Sequence, residues 1–300
     1  MEVSSILINT HKYDFHLAKI CIGSIRYWYP EISIYLIKDF GSGNFSTKIT
    51  EQKWNVGIFK TNRKRFGWGY GKLEPLFSSD QHSFLILDAD TVLTGPVLQA
   101  AEGETSHFIV DNEVQPSNRF NEIYYDLGKI KELEPNFVYP GYSFNTGQWF
   151  GTSAILDRKD FQRTLDWTEP PKPHHPNILF NGDQGILNFV IHCKEQTGEL
   201  SVARKKIMLW PNAGNTDFLE LSQIKSKKGI YPYVIHWAGI KSKRFENLPR
   251  ADILYFYKKF YYSRFSIIER VVGWLSEGCI KYEKLFKTLL FKVSHKLNIQ

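Results

Sequence analysis

The sequence predicts an α/β fold with a parallel sheet, followed by a basic, aromatic-rich helical tail. Three observations carry that expectation. Short β-branched runs alternate with helix-period segments through the front half, the apolar run Phe84 to Leu87 ends in two aspartates one residue apart, and the pattern changes character beyond Arg250. Alternation of this kind is what βαβ units produce.

Ile6 to Asn9 reads as the first strand. His16 to Tyr27 has helix periodicity through Leu17, Ile20, Cys21 and Ile25, and Pro30 stops it. Ile32 to Ile37 and Val56 to Phe59 read as the next two strands, and the glycine-rich loop Phe66-Gly67-Trp68-Gly69-Tyr70-Gly71 follows. Lys72 to Phe77 opens another helix, and Phe84 to Leu87 is a strand. In an open sheet of this type ligands bind outside the carboxyl ends of the strands. Asn9-Thr10-His11 and Asp88-Ala89-Asp90 both fall there, so the two loops are expected to face one crevice. From about residue 101 the pattern is irregular, with Pro135, Pro140 and the Pro170 to Pro176 stretch marking loops. Binding specificity is expected in such loops.

The length of 300 residues suits one large domain, here 1–250, with an appendage, 251–300. Cys21, Cys193 and Cys279 form no closely spaced pair, which favours a reducing compartment, or simply three buried small side chains. Met1 runs directly into Ile6-Leu7-Ile8 without a leader, and no run of ~18 uncharged apolar residues occurs. A cytoplasmic protein is expected. The net charge of +7 is unevenly placed: residues 251–300 hold nine Lys/Arg against four acids, a net +5, which leaves +2 for the first 250. The main domain therefore has no nucleic-acid footprint.

In the tail, Phe265, Ile268, Val272, Leu275, Cys279, Tyr282, Phe286, Leu289 and Val293 recur at spacings of three and four, with Gly273 and Gly278 as candidate breaks. Two readings stand: a helix packed on the domain's own core, or a helix lying on an anionic membrane surface, peripheral on its inner face.

Asp88 and Asp90 are hard oxygen donors at a strand end, and a turn at Ala89 would let both reach one cation. Mg²⁺ or Mn²⁺ suits such ligands and binds substrate phosphates as well. A bare D-x-D is also found as two solvated turn residues. A haloacid dehalogenase-type phosphatase with Asp88 as nucleophile is a second enzymatic reading, although its motif normally starts the first strand and needs a late acidic pair.

Further segments discriminate. Tyr70-Gly71-Lys72-Leu73-Glu74-Pro75-Leu76-Phe77 precedes the motif, and Phe144-Asn145-Thr146-Gly147-Gln148-Trp149-Phe150 follows it. Asn181-Gly182-Asp183-Gln184-Gly185-Ile186-Leu187-Asn188 and Val234-Ile235-His236-Trp237-Ala238-Gly239-Ile240-Lys241 come later. In this order the chain, over residues 5 to 245, resembles the family 8 retaining glycosyltransferases of the GT-A fold, a Rossmann-like nucleotide-diphospho-sugar transferase fold.

The resemblance implies a UDP-sugar donor, a saccharide or glycolipid acceptor and Mn²⁺ (or Mg²⁺) held by Asp88, Asp90 and His236. It places Thr10, Tyr13, Lys72, Ala89, Asn145, Gly147, Gly239 and Lys241 around the donor, with Tyr13 against the base, and Asp183 and Gln184 beside the reacting sugar carbon. One departure concerns the phosphate-binding lysine, which the family usually has six residues after the histidine. Here position 242 is Ser, with lysines at 241 and 243; Lys241 is the expectation. The function implied is a metal-dependent retaining hexosyltransferase in cell-surface glycan synthesis. A non-catalytic nucleotide-sugar or glycan binder is the alternative, and Trp149, Trp167 and Trp237, expected as exposed rings, would suit sugar stacking in either case.

Overall fold

A computed structural model describes residues 1–67, 69–113, 117–211, 214–240 and 245–297, with side chains up to 288 except those of 117 and 118. The strands are β1 (Val3–His11), β2 (Ser33–Asp39), β3 (Val56–Ile58), β4 (Ser83–Asp88), β5 (Thr91–Leu93), β6 (Phe108–Asp111), β7 (Gln148–Thr152), β8 (Leu165–Asp166), β9 (Lys172–Pro173), β10 (Val202–Lys205), β11 (Met208–Leu209) and β12 (Val234–His236). The helices are α1 (Phe15–Trp28), α2 (Lys48–Trp54), α3 (Ser117–Ile123), α4 (Asp183–Gln196), α5 (Leu221–Ser226), α6 (Ala251–Tyr262) and α7 (Ile267–Leu297).

A seven-stranded sheet in the order β10-β6-β7-β4-β1-β2-β3 forms the centre. Its half from β4 to β3 is parallel, and β7 runs antiparallel to both β4 and β6. Both faces are covered, which explains why the strands read as unbroken apolar runs. Along β1, Leu7 joins the cluster with Tyr70, Leu73 and Ile186, while Ile6 and Ile8 join α1 through Ala18, Cys21 and Ile22. β4 divides the same way, Phe84 and Ile86 against Leu85 and Leu87, as the two-residue period of a strand requires.

A second sheet, β11-β12-β5, stands at the carboxyl end of β4. β12 is antiparallel to β5, with His236 opposite Thr91. This small sheet brings residues 145 positions apart to the same place.

Strands 1, 2 and 4 fall where the pattern puts them, each extended by one to three residues at one or both ends. The segment expected as a helix from Lys72 is a 3-10 helix over Tyr70–Phe77, with Pro75 inside it. Helix α2 has no counterpart in the sequence reading. The tail is two helices with different surroundings: α6 buries Ile253, Leu254 and Tyr257 against Leu17 and Ile20 of α1, whereas α7 runs unbroken through Gly273 and Gly278.

Candidate active site

Backbone pairing places the acidic motif. β4 ends at Asp88, the chain turns through Ala89 and Asp90, and β5 leaves at Thr91. The Thr91 hydroxyl donates to the Asp88 carbonyl at 2.8 Å, closing that turn. Trp237 N–H donates to the Asp90 carbonyl at 3.0 Å, so β12 delivers His236 beside the carboxylates. His236 Nε2 lies 3.4 Å from Asp90 Oδ1 and 3.8 Å from Asp88 Oδ2.

Among the described residues, Asp88, Asp90 and His236 form a group whose ligand atoms all lie within 4.8 Å of one another. An octahedral ion with bonds near 2.1 Å sets its donors about 3 to 4 Å apart, so this cluster has the right size for one divalent cation. Two carboxylates and one imidazole also suit Mn²⁺ or Mg²⁺ chemically. The residues present fit the group that the resemblance implies.

Lys72 links the cluster to the next element. Its ammonium is 3.1 Å from Asp88 Oδ1 and 2.8 Å from Asp183 Oδ2, with the Thr146 hydroxyl at 3.4 Å. Burial alone would depress a lysine here; the two carboxylates outweigh it and raise the pKa, so Lys72 is a fixed cation. Asp183 is raised by burial, with Lys72 opposing and Asp88 adding to the rise. One ammonium serves two carboxylates, which is why the cation is strongly favoured while the deeper carboxylate is not. The approach of 69 to 72 needs glycine: Gly69 has φ of +79°, and a Cβ there would sit 2.4 Å from Asp183 Oδ1.

The Asn145 segment is tied down from two sides. Asp88 N–H donates to the Gly147 carbonyl at 2.7 Å, continuing the β4–β7 ladder. Asn188, buried on α4, accepts from Phe144 N–H at 2.9 Å and donates to the carbonyls of Phe144 and Gln184. That clamp sets Asn145 Nδ2 at 3.0 Å from Gln184 Oε1, while Asn145 Oδ1 accepts from Gly147 N–H at 2.8 Å. Gly147 touches the imidazole so closely that an added Cβ would lie 2.1 Å from His236 Cε1.

The other expected residues are placed as follows. Ala89 is buried against the α1 cluster, and Gly239 occupies a turn with φ of +74°. Thr10 is buried and donates to Asp14 Oδ1 at 2.8 Å. Tyr13 lies under the tail, its hydroxyl 3.3 Å from Glu283 of α7. Position 241 lies outside the described residues. The three tryptophans expected as exposed rings are not: Trp149 and Trp237 are core residues, and Trp167 is half-buried against Phe77 and Phe161.

Sequence reasoning missed Thr146, Asn188 as a clamp, Glu113 and Trp210. Trp210 stacks on His236 with ring centroids 5.5 Å apart and planes 17° from parallel. A residue 26 positions upstream of its partner carries no periodic signal.

No protein-family profile and no curated protein sequence matches this chain. Solved structures do. The galactosyltransferase LgtC, in complex with donor and acceptor sugar analogs, is 14% identical with a TM-score of 0.56, over 90% of this chain and 99% of that one. The bifunctional glycosyltransferase WbbM is 15% identical with a TM-score of 0.52, over 87% of this chain and 51% of its own. The glycosyltransferase GlyE of Streptococcus pneumoniae is 13% identical with a TM-score of 0.53, over 96% of this chain and 64% of its own. These likenesses, with the mixed central sheet and the small sheet at its carboxyl edge, show that the chain has the GT-A glycosyltransferase fold.

Proposed function

We propose that the protein is a metal-dependent retaining glycosyltransferase that moves a hexose from a UDP-sugar to a saccharide or glycolipid acceptor. The observation that carries this reading is the convergence of Asp88, Asp90 and His236 at the carboxyl end of β4, with Lys72 as a fixed cation beside them. Bound there by those three residues, a divalent cation would supply positive charge to a donor diphosphate.

The chain's own residues divide the remaining work. Lys72 adds a permanent charge where the leaving diphosphate becomes more negative, the kind of preorganised stabilisation that favours the transition state over the ground state. Asn145 and Gln184 present a hydrogen-bonded amide pair for sugar hydroxyls. The Gln184 amide is a poor nucleophile, and Asp183 is held by Lys72, so neither side chain is set to form a covalent glycosyl intermediate. Retention, which the resemblance implies, then requires the acceptor oxygen to bond to the anomeric carbon on the face from which the diphosphate leaves, as the bond from that carbon to the phosphate oxygen breaks and the acceptor's hydroxyl proton passes to the departing phosphate oxygen. The phosphatase reading loses support, because the solved structures named above that share this fold are glycosyltransferases and the motif ends the fourth strand of the chain rather than the first.

The tail supports a membrane-borne acceptor at an inner membrane face. Ile268, Val272, Trp274, Leu275, Tyr282 and Phe286 of α7 are all more than half exposed, so the apolar stripe points away from the domain. The acids of α7 face inward instead: Glu269 pairs with Lys53, Glu277 with Lys19 and Glu283 with Lys12. Among the described residues no helix is long and apolar enough to cross a membrane. An outward apolar face on a tail with a net charge of +5 is the chemistry of a helix lying on an anionic surface, with Lys284 and Lys287 over Tyr13 at its domain side.

The test is UDP release from a panel of UDP-hexoses in Mn²⁺, followed by NMR of the product's anomeric proton. Release from one donor with retained configuration is expected; release from none of them would contradict the assignment.

A further inference from the structure

Metal-bound histidines ordinarily fix their ring by donating the second nitrogen's proton to a carboxylate or carbonyl. His236 does otherwise. Its Nε2 faces Asp88 and Asp90, and its buried Nδ1 has no hydrogen-bond partner among the described residues. Two surfaces hold the ring instead, the Gly147 backbone on one side and the flat face of Trp210.

Trp210 is itself fixed. Its Nε1 donates to Glu113 Oε1 at 2.7 Å, and the other oxygen of Glu113 accepts from Tyr124 at 2.9 Å. Glu113 is buried, which raises its pKa, while the bonds from Trp210 and Tyr124 oppose that rise. Asp111, two residues earlier at the end of β6, accepts from Ile207 N–H at 2.8 Å and Met208 N–H at 2.7 Å. The latter residue begins β11, which pairs with the strand of His236. Thus two acidic residues, Asp111 and Glu113, hold the segment 207–210 against the ring, one by its backbone and one by its indole.

We infer that Trp210, anchored by Glu113, is a positioning residue for His236: the stack and its buried carboxylate replace the usual outer hydrogen bond and hold Nε2 on the cation. This rests on the metal-dependent reading above. It concerns affinity for the ion rather than contact with the substrate, and so is separable from it.

The experiment titrates Mn²⁺ into the full chain with saturating UDP, following free Mn²⁺ by electron paramagnetic resonance and tryptophan emission in parallel. Wild type, Trp210→Ala, Trp210→Phe and Glu113→Gln are compared, with circular dichroism and melting as controls for the fold. Outer partners of metal ligands are typically worth 10- to 100-fold in affinity, so Trp210→Ala is expected to weaken Mn²⁺ binding about tenfold or more. Trp210→Phe, which keeps a ring over the imidazole, should stay within about threefold of wild type, and Glu113→Gln should fall between. Mn²⁺ is paramagnetic, so binding should quench wild-type emission by a fraction that shrinks in Trp210→Phe. A folded Trp210→Ala with wild-type Mn²⁺ affinity overturns the inference and leaves the transferase reading intact. If Trp210→Ala does not fold, wild-type affinity in Glu113→Gln together with unchanged quenching in Trp210→Phe overturns it. Absence of Mn²⁺ binding by the wild type overturns both.

Discussion

Gly147 shows how little room the candidate site leaves. Its missing side chain is what allows His236 to approach, since a Cβ would meet the imidazole at 2.1 Å. Gly147→Ala is therefore expected to push the ring off the carboxylates and abolish Mn²⁺-dependent UDP binding while leaving far-UV circular dichroism unchanged. An alanine variant that binds UDP and Mn²⁺ as the wild type does would show that His236 is not a ligand. Lys72 makes the complementary case. Lys72→Met leaves Asp88 and Asp183 without their shared cation, so kcat should fall about 10²- to 10³-fold, the scale of removing one preorganised charge or donor. Lys72→Arg should recover part of that loss, and steady-state kinetics on the two variants would check it.

At the scale of elements, α4 carries both the site and a pH-dependent weakness. Asp183, Gln184 and Asn188 lie on its first half, and His192 follows on the same helix, buried among Tyr125, Tyr139 and Tyr142. Burial pushes the His192 pKa down to about 3. The folded value lies below the unfolded one, near 6.5, so the neutral ring's contribution is present above about pH 6.5 and is lost as pH falls towards 3. The slope from this group is at most about 1.4 kcal/mol per pH unit. His192→Gln removes the titration, and its urea midpoint should fall less steeply than wild type between pH 6.5 and 4. Parallel curves would show that His192 does not control the acid limb.

The same scale shows what was legible in the sequence. β1, β2 and β4 could be read because both faces of the sheet are covered and their apolar runs are unbroken. Asp88, Asp90 and His236 could be read because each sits in a local motif, and the β5–β12 pairing brings the motifs together. Trp210 and Glu113 could not, because their roles arise from contacts between segments about a hundred residues apart, without local pattern. The tail was legible in kind and not in orientation: three-and-four spacing marks an amphipathic helix, but the facing of α7 follows from where Lys12, Lys19 and Lys53 wait for its three acids.

Across the whole molecule, charge and surface are divided between two ends. The acids of α7 pair with lysines of the domain, while its apolar stripe faces outward on a tail whose net charge is +5. The full chain is expected to sediment with anionic vesicles, more weakly at high salt, since charged contacts at a surface are screened within about 10 Å at 0.1 M. Trp274→Glu with Phe286→Glu should release it without changing UDP binding. Vesicle binding that survives both substitutions would place the membrane contact elsewhere.

In the proposed function the crevice would hold a nucleoside diphosphate through a cation on Asp88, Asp90 and His236. Calorimetric titration of UDP into the purified protein, with and without Mn²⁺ and repeated on Asp90→Asn, tests it most directly. Binding that requires Mn²⁺ and disappears in the variant is expected. Equal UDP binding with and without the ion, or Mn²⁺-dependent binding that Asp90→Asn leaves intact, would contradict it.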